Sequence, residues 1–140
     1  MESRDPEVEE ELADALVDSD ILIDALRHRS VGERLVKWSE TRELITSTMN
    51  VFEVCRGLTT PEAWTAGRSL FSRFRILPFD EVAALRASAI DLELRRAGTR
   101  VDMGDVCIAG VALANSLAIV TRNVRHFSRI DGLEILEPSV

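Results

Sequence analysis

The stretch MGDVCIAGVALANSLAIVTRN, residues 103–123, joins a small-residue apolar run to a short, strongly apolar one. Val106, Cys107, Ile108, Ala109, Gly110, Val111, Ala112, Leu113 and Ala114 make 103–116 a helix expected to lie close against a sheet. Residues 117–121, Leu-Ala-Ile-Val-Thr, then read as a buried strand. The same alternation recurs outward from this point. Residues 15–19 read as a strand, followed by a helix that carries Ile21, Leu22, Ile23, Ala25 and Leu26, with Asp20 expected as its N-cap. Residues 32–40 read as a helix with Leu35, Val36 and Trp38 inward, and 43–47 as a β-branched strand. Helix 49–56 follows. Thr60-Pro61-Glu62 opens another helix, with proline in its first turn.

Strand 75–79 comes next. Asp80 then caps a long helix whose inward stripe is expected to be Val82, Leu85, Ala89, Leu92 and Leu94, ended by Gly98. Residues 124–127 form a short helical turn, and 133–136 a last strand. Strands alternating with helices point to an α/β fold, a three-layer α/β/α sandwich around a central, mostly parallel sheet.

A chain of 140 residues with 46% hydrophobic content suits one globular core. The net charge of −7 is unevenly spread. Seven acids stand against Arg4 alone in residues 1–14, and the other 126 residues are nearly neutral. The expected organisation is therefore an acidic arm, 1–14, ahead of a folded domain, 15–140. Beyond the arm, fifteen of sixteen bases are arginine, and Lys37 is the only lysine. Arginine suits bidentate contacts to phosphate. No apolar run reaches the roughly 18 residues of a membrane span, and no basic and apolar leader opens the chain. The expected location is the cytoplasm. Cys55 and Cys107 are expected to be buried reduced thiols, and no Cys or His spacing fits zinc.

Four polar residues stand at the ends of these elements. Asp18 follows Ala15-Leu16-Val17, Glu53 lies in the apolar helix after the stretch 45–52, Asp105 opens the small-residue helix, and Asn123 follows the strand 117–121. Taken singly, Asp18 is a cap or turn residue, Asp105 a first-turn acid behind an Asp102 cap, and Asn123 a turn residue. Glu53 is harder to place, because an unpaired charge in an apolar helix is costly. In an open α/β sheet the carboxyl ends of parallel strands meet at one rim. Carboxylates gathered there do not all stay ionised without a positive partner, and a hard divalent cation is the natural one.

The blocks Val17-Asp18-Ser19-Asp20-Ile21, Ile45 to Val54 with Glu53, Asp105 to Ala114, and Leu117 to Phe127 resemble, in order and spacing, those of PIN-domain nucleases. The similarity covers roughly residues 15–137 and lies with the VapC-type toxin branch. It implies a metal-dependent endoribonuclease, the toxin of a type II toxin–antitoxin pair. Asp18, Glu53 and Asp105 would be its acidic core. Asp18 and Asp105 would bind Mg²⁺ or Mn²⁺, Glu53 would hold or activate water or bind a second ion, and Thr121 and Asn123 would support the site. It also implies an RNA substrate, a VapB-type antitoxin and a homodimer. Arg27, Arg29, Arg68, Arg73 and Arg122 are candidates for RNA contact. Asp24 reads as an exposed helix residue or a further supporting group.

The chain departs from the family pattern at His126, where an acid is common; it reads here as a surface imidazole, or as a neutral one that touches the site. Asp20 stands where Asn or Ser is common. Two rivals remain. One is a degenerate PIN-like module that binds RNA or protein without cutting. The other is an Asp-dependent phosphotransfer domain, because Asp18-Ser19-Asp20 looks like the nucleophile block of haloacid-dehalogenase-type phosphatases. That block implies a late lysine, and none follows Lys37. A dinucleotide site lacks its Gly-rich turn, and a nucleophilic triad lacks a histidine near an elbow serine.

Overall fold

The computed structural model describes residues 14–138. The acidic arm expected over 1–14 therefore lies, apart from Asp14, outside the described residues. The strands are β1 (Ala15–Val17), β2 (Ile45–Ser47), β3 (Arg75–Leu77), β4 (Ala118–Val120) and β5 (Ile135–Leu136). Among the described residues the helices are α1 (Ser19–Arg27), α2 (Arg29–Trp38), α3 (Thr48–Cys55), α4 (Pro61–Phe71), α5 (Glu81–Arg96), α6 (Met103–Ala114) and α7 (Val124–Phe127).

The strands form one sheet in the order β3-β2-β1-β4-β5, and all four pairings are parallel. The expected three-layer sandwich is observed. Successive strand residues point to opposite faces, and the core divides accordingly. Leu16, Ile45, Leu77 and Ile119 pack with Ala83, Ala87, Ile108 and Val111 on the face covered by α5 and α6. Val17 packs with Ile21, Leu22, Leu35, Val54 and Phe71 on the face covered by α1 to α4. Strand order reverses between β1 and β4, and such a switch point opens a crevice at the carboxyl ends of the strands.

Three sequence expectations are corrected. First, Asp18 rather than Asp20 is the N-cap of α1, since Ser19 N donates to Asp18 Oδ1 at 2.8 Å. Second, α5 buries Ala83, Ala87, Ile90 and Leu94, whereas Val82, Leu85, Ala89 and Leu92 are exposed, Leu85 by 64%. The reason is close helix approach. A Cβ added at Gly110 of α6 would stand 2.6 Å from the Ala83 carbonyl oxygen and 2.9 Å from Ala87 Cβ. Only the small-residue stripe of α5 fits there, so the larger aliphatic stripe faces outward. Third, Val36 is exposed, while Trp38 is half-buried with the Arg42 guanidinium 4.6 Å over its ring. Gly98 does end α5 as expected. It adopts φ +69°, and Thr99 N donates back to the Leu94 carbonyl, the usual left-handed helix stop. Cys55 and Cys107 are free and half-buried rather than fully buried, and burial pushes both thiols up. Among the described residues no helix is long and apolar enough to cross a membrane.

Candidate active site

The site grows from the ends of β1 and β4. Asp18 leaves β1 in extended conformation and immediately caps α1. Its backbone N–H donates to the Val120 carbonyl, tying the two strand ends together. Its side chain is buried among donors: Ser19 N and Asn50 Nδ2 reach Oδ1 at 2.8 and 3.2 Å, and Thr121 Oγ1 donates to Oδ2 at 2.8 Å. Even so, burial first, and then the neighbouring Asp20 and Asp105, raise its pKa from 3.8 to about 7.

Glu53 projects from α3. Its Oε1 accepts from Ser19 Oγ at 2.7 Å, which couples it directly to the residue after Asp18. Its Oε2 lies against Gly104, where a Cβ would collide with it. Glu53 therefore reaches the first turn of α6 beside Asp105. Burial is again the main cause of its raised pKa; the Ser19 bond opposes the shift and Asp105 adds to it. Asp102 caps α6 through Gly104 N, as expected for a helix start, which leaves Asp105 to face the site. The Asp105 carboxyl is likewise raised by burial, against a bond from His126 that lowers it. Asn123 Nδ2 lies 3.4 Å from Asp105 Oδ2, and Asn123 N donates to Thr121 Oγ1 at 2.9 Å.

Asp18, Glu53, Asp105 and Asn123 thus belong to one connected rim. His126 is at the surface and also touches the site: its Nδ1 lies 3.3 Å from Asp105 Oδ2 and 3.0 Å from Asn123 Nδ2. Asp24 is half-buried and ion-paired with Arg122, so it is a supporting group rather than a free exposed one. Arg27, Arg29, Arg68 and Arg73 are exposed.

Two groups escaped sequence reasoning. Asn50 is fully buried; its side-chain amide donates to Asp18 and to Ser19 Oγ, while its oxygen accepts from Ser47 N and its backbone N–H donates to Ser47 Oγ, a capping box. The pattern Ser47-x-x-Asn50 was the available signal. Asp20 clamps the exit of β4, accepting from Arg122 N at 2.9 Å. Nothing local in the sequence announces that partner, which lies 102 residues away.

Three carboxyls pushed upward together are oxygen donors in want of positive charge, so the residues fit a hard divalent cation. Among the described residues no group of three or more His, Cys, Asp or Glu side chains is placed to hold a metal ion together. Mg²⁺ is commonly held by only one or two protein carboxylates, the rest of its ligands being water.

These features define an α/β domain whose acidic site stands at the switch point of a parallel sheet. A family model for the PIN domain matches residues 15–133, and the chain belongs to that family. It is 36% identical over 120 residues to ribonuclease VapC10 of Mycobacterium tuberculosis, covering 85% of this chain and 90% of that protein. A shorter match, 44% over 64 residues, joins 46% of this chain to 48% of a tRNA(fMet)-specific endonuclease VapC of Salmonella typhimurium. Among solved structures, DNA-bound VapBC from Salmonella typhimurium superposes with a TM-score of 0.81 at 27% identity, covering 89% of this chain and 98% of that one. VapBC2 from Rickettsia felis, bound to a promoter DNA fragment, superposes at 0.79 with 19% identity, a likeness of fold.

Proposed function

We propose that the protein is a Mg²⁺- or Mn²⁺-dependent endoribonuclease acting in the cytoplasm as the toxin of a VapBC-type toxin–antitoxin pair. The observation that carries this is the linkage of Asp18, Glu53 and Asp105 through Ser19, Asn123 and Thr121 at one sheet rim. The names of its relatives support RNA as the substrate.

Asp18 and Asp105 would hold the cation. When bound, it supplies positive charge that lowers the pKa of water and offsets charge growing on the phosphate. Ser19 orients the Glu53 carboxyl, and Glu53 takes the proton of the attacking water. Asn123 and His126 fix the Asp105 carboxyl, and Thr121 fixes that of Asp18. Exposed Arg27, Arg29, Arg68 and Arg73 contact the RNA phosphates or the antitoxin. A groove of about 520 Å³ between α1, α2 and α4, apolar and edged by Arg29 and Arg73, fits the apolar face of an antitoxin helix. The outward stripe Val82, Leu85 and Leu92 on α5 suits a homodimer.

The test is cleavage of single-stranded RNA by purified protein. Cutting with Mg²⁺ or Mn²⁺, its loss on chelation, and its loss in Asp18→Asn are expected. Binding of RNA without cutting under any divalent cation would return the rival reading of a non-catalytic module.

A further inference from the structure

We infer that the cavity between α1 and the start of α4 receives one unstacked nucleobase of the RNA, next to the bond being cut. The inference rests on the ribonuclease reading and names a subsite within it. The cavity holds about 250 Å³. Ile23 and Leu26 of α1, Val54 of α3, Leu58, and Ala63 of α4 give it apolar walls. Glu53 belongs both to this lining and to the carboxylate rim, so the cavity adjoins the rim. Exposed Arg27 stands on the lining as well.

Each part answers to one part of a nucleotide. Apolar side chains sandwich the faces of a base taken out of its stack. A guanidinium pairs with the adjoining phosphate. A phosphate placed for attack beside Glu53 leaves its neighbouring base within one nucleotide of this opening. Pockets that enclose drug-sized ligands begin at about 300 Å³, so the volume suits a single base and is too small for the face of a helix. The wall is also held in place. Gly67 is buried in α4, and a Cβ there would stand 2.5 Å from Leu58 Cδ1, so the glycine seats Leu58 against the cavity. The cavity would then select among bases by shape, adding sequence preference to a rim that recognises only phosphate.

The experiment uses wild-type protein with Mn²⁺ on a single-stranded RNA that it cuts. The same RNA is then made abasic at each position flanking the cut, and Ala63→Phe fills the cavity. Burying the faces of a base against the aliphatic walls is worth enough that one abasic position should slow cleavage about tenfold. Ala63→Phe should lose a similar factor on intact RNA and almost nothing more on the abasic one. Equal rates and equal affinities for intact and abasic RNAs overturn the inference, and that comparison needs no variant. So does Ala63→Phe that slows both RNAs alike, or one that cuts normally but escapes a VapB-type antitoxin. Base-dependent affinity with no cutting under Mg²⁺ or Mn²⁺ sinks the ribonuclease reading and leaves the base site standing.

Discussion

Thr121 Oγ1 donates to Asp18 Oδ2 at 2.8 Å, joining the ends of β4 and β1 across 103 residues of chain. The bond lowers the Asp18 pKa against a larger upward push from burial. Thr121→Val keeps the shape and removes the donor. It should destabilise the fold by about 1–3 kcal/mol and raise the Asp18 pKa further. The pH midpoint of cation binding should therefore move upward, as read by titration over a pH series. An unmoved midpoint would mean that the hydroxyl does not govern the Asp18 carboxyl.

The metal-free protein should lose stability as pH rises. Asp18 has a folded pKa of about 7 against 3.8, and Glu53 and Asp105 shift in the same direction. The folded state binds more protons than the unfolded one between those values. The contribution is full below pH 3.8 and is lost as pH passes through about 7. Thermal melts in chelator should show Tm falling over that window. Added Mn²⁺ should restore Tm near neutral pH and do little in acid, where protons compete for the same oxygens. A Tm that rises with pH in chelator would contradict the electrostatics of the rim.

Gly104→Ala tests the position of Glu53 without touching a carboxylate. A Cβ at 104 collides with Glu53 Oε2, so Glu53 must swing away from Asp105. Alanine is otherwise favoured over glycine in a helix by up to about 1 kcal/mol. RNA cleavage should fall at least about tenfold, a loss of roughly 1.4 kcal/mol in transition-state stabilisation, while the melting temperature changes little. Full activity would free Glu53 from the role given to it.

Leu85→Glu tests the outer face of α5. Leu85 is 64% exposed in a stripe with Val82 and Leu92. Charging it should convert a homodimer to monomer in light scattering at unchanged Tm. A wild-type monomer at the same concentration would remove the proposed interface.

The layered fold was legible because buried strands and helices alternate, and because Asp18, Asp105 and Asn123 punctuate them. The positions of Asp18 and Asn123 follow from local pattern, since a residue just past a parallel strand must stand at the rim, whereas Asp105 opens a helix. What failed depended on partners far along the chain. The inward face of α5 was misassigned because hydrophobic size favours Leu85 and Leu92, whereas the constraint comes from Gly110 on α6. His126 looks like a surface turn residue until Asp105, 21 residues earlier, is seen beside it. Asn50 hides for the same reason, since its value lies in Asp18, 32 residues before it.

The central claim is that carboxylates from β1 and α6 share one divalent cation, and calorimetric titration of Mn²⁺ at neutral pH tests it most directly. Wild-type protein should bind the ion, and Asp18→Asn and Asp105→Asn should each weaken binding about tenfold or more while remaining folded, since each removes one of the two charged oxygen ligands assigned to the ion. Binding that persists undiminished in both variants would contradict the account.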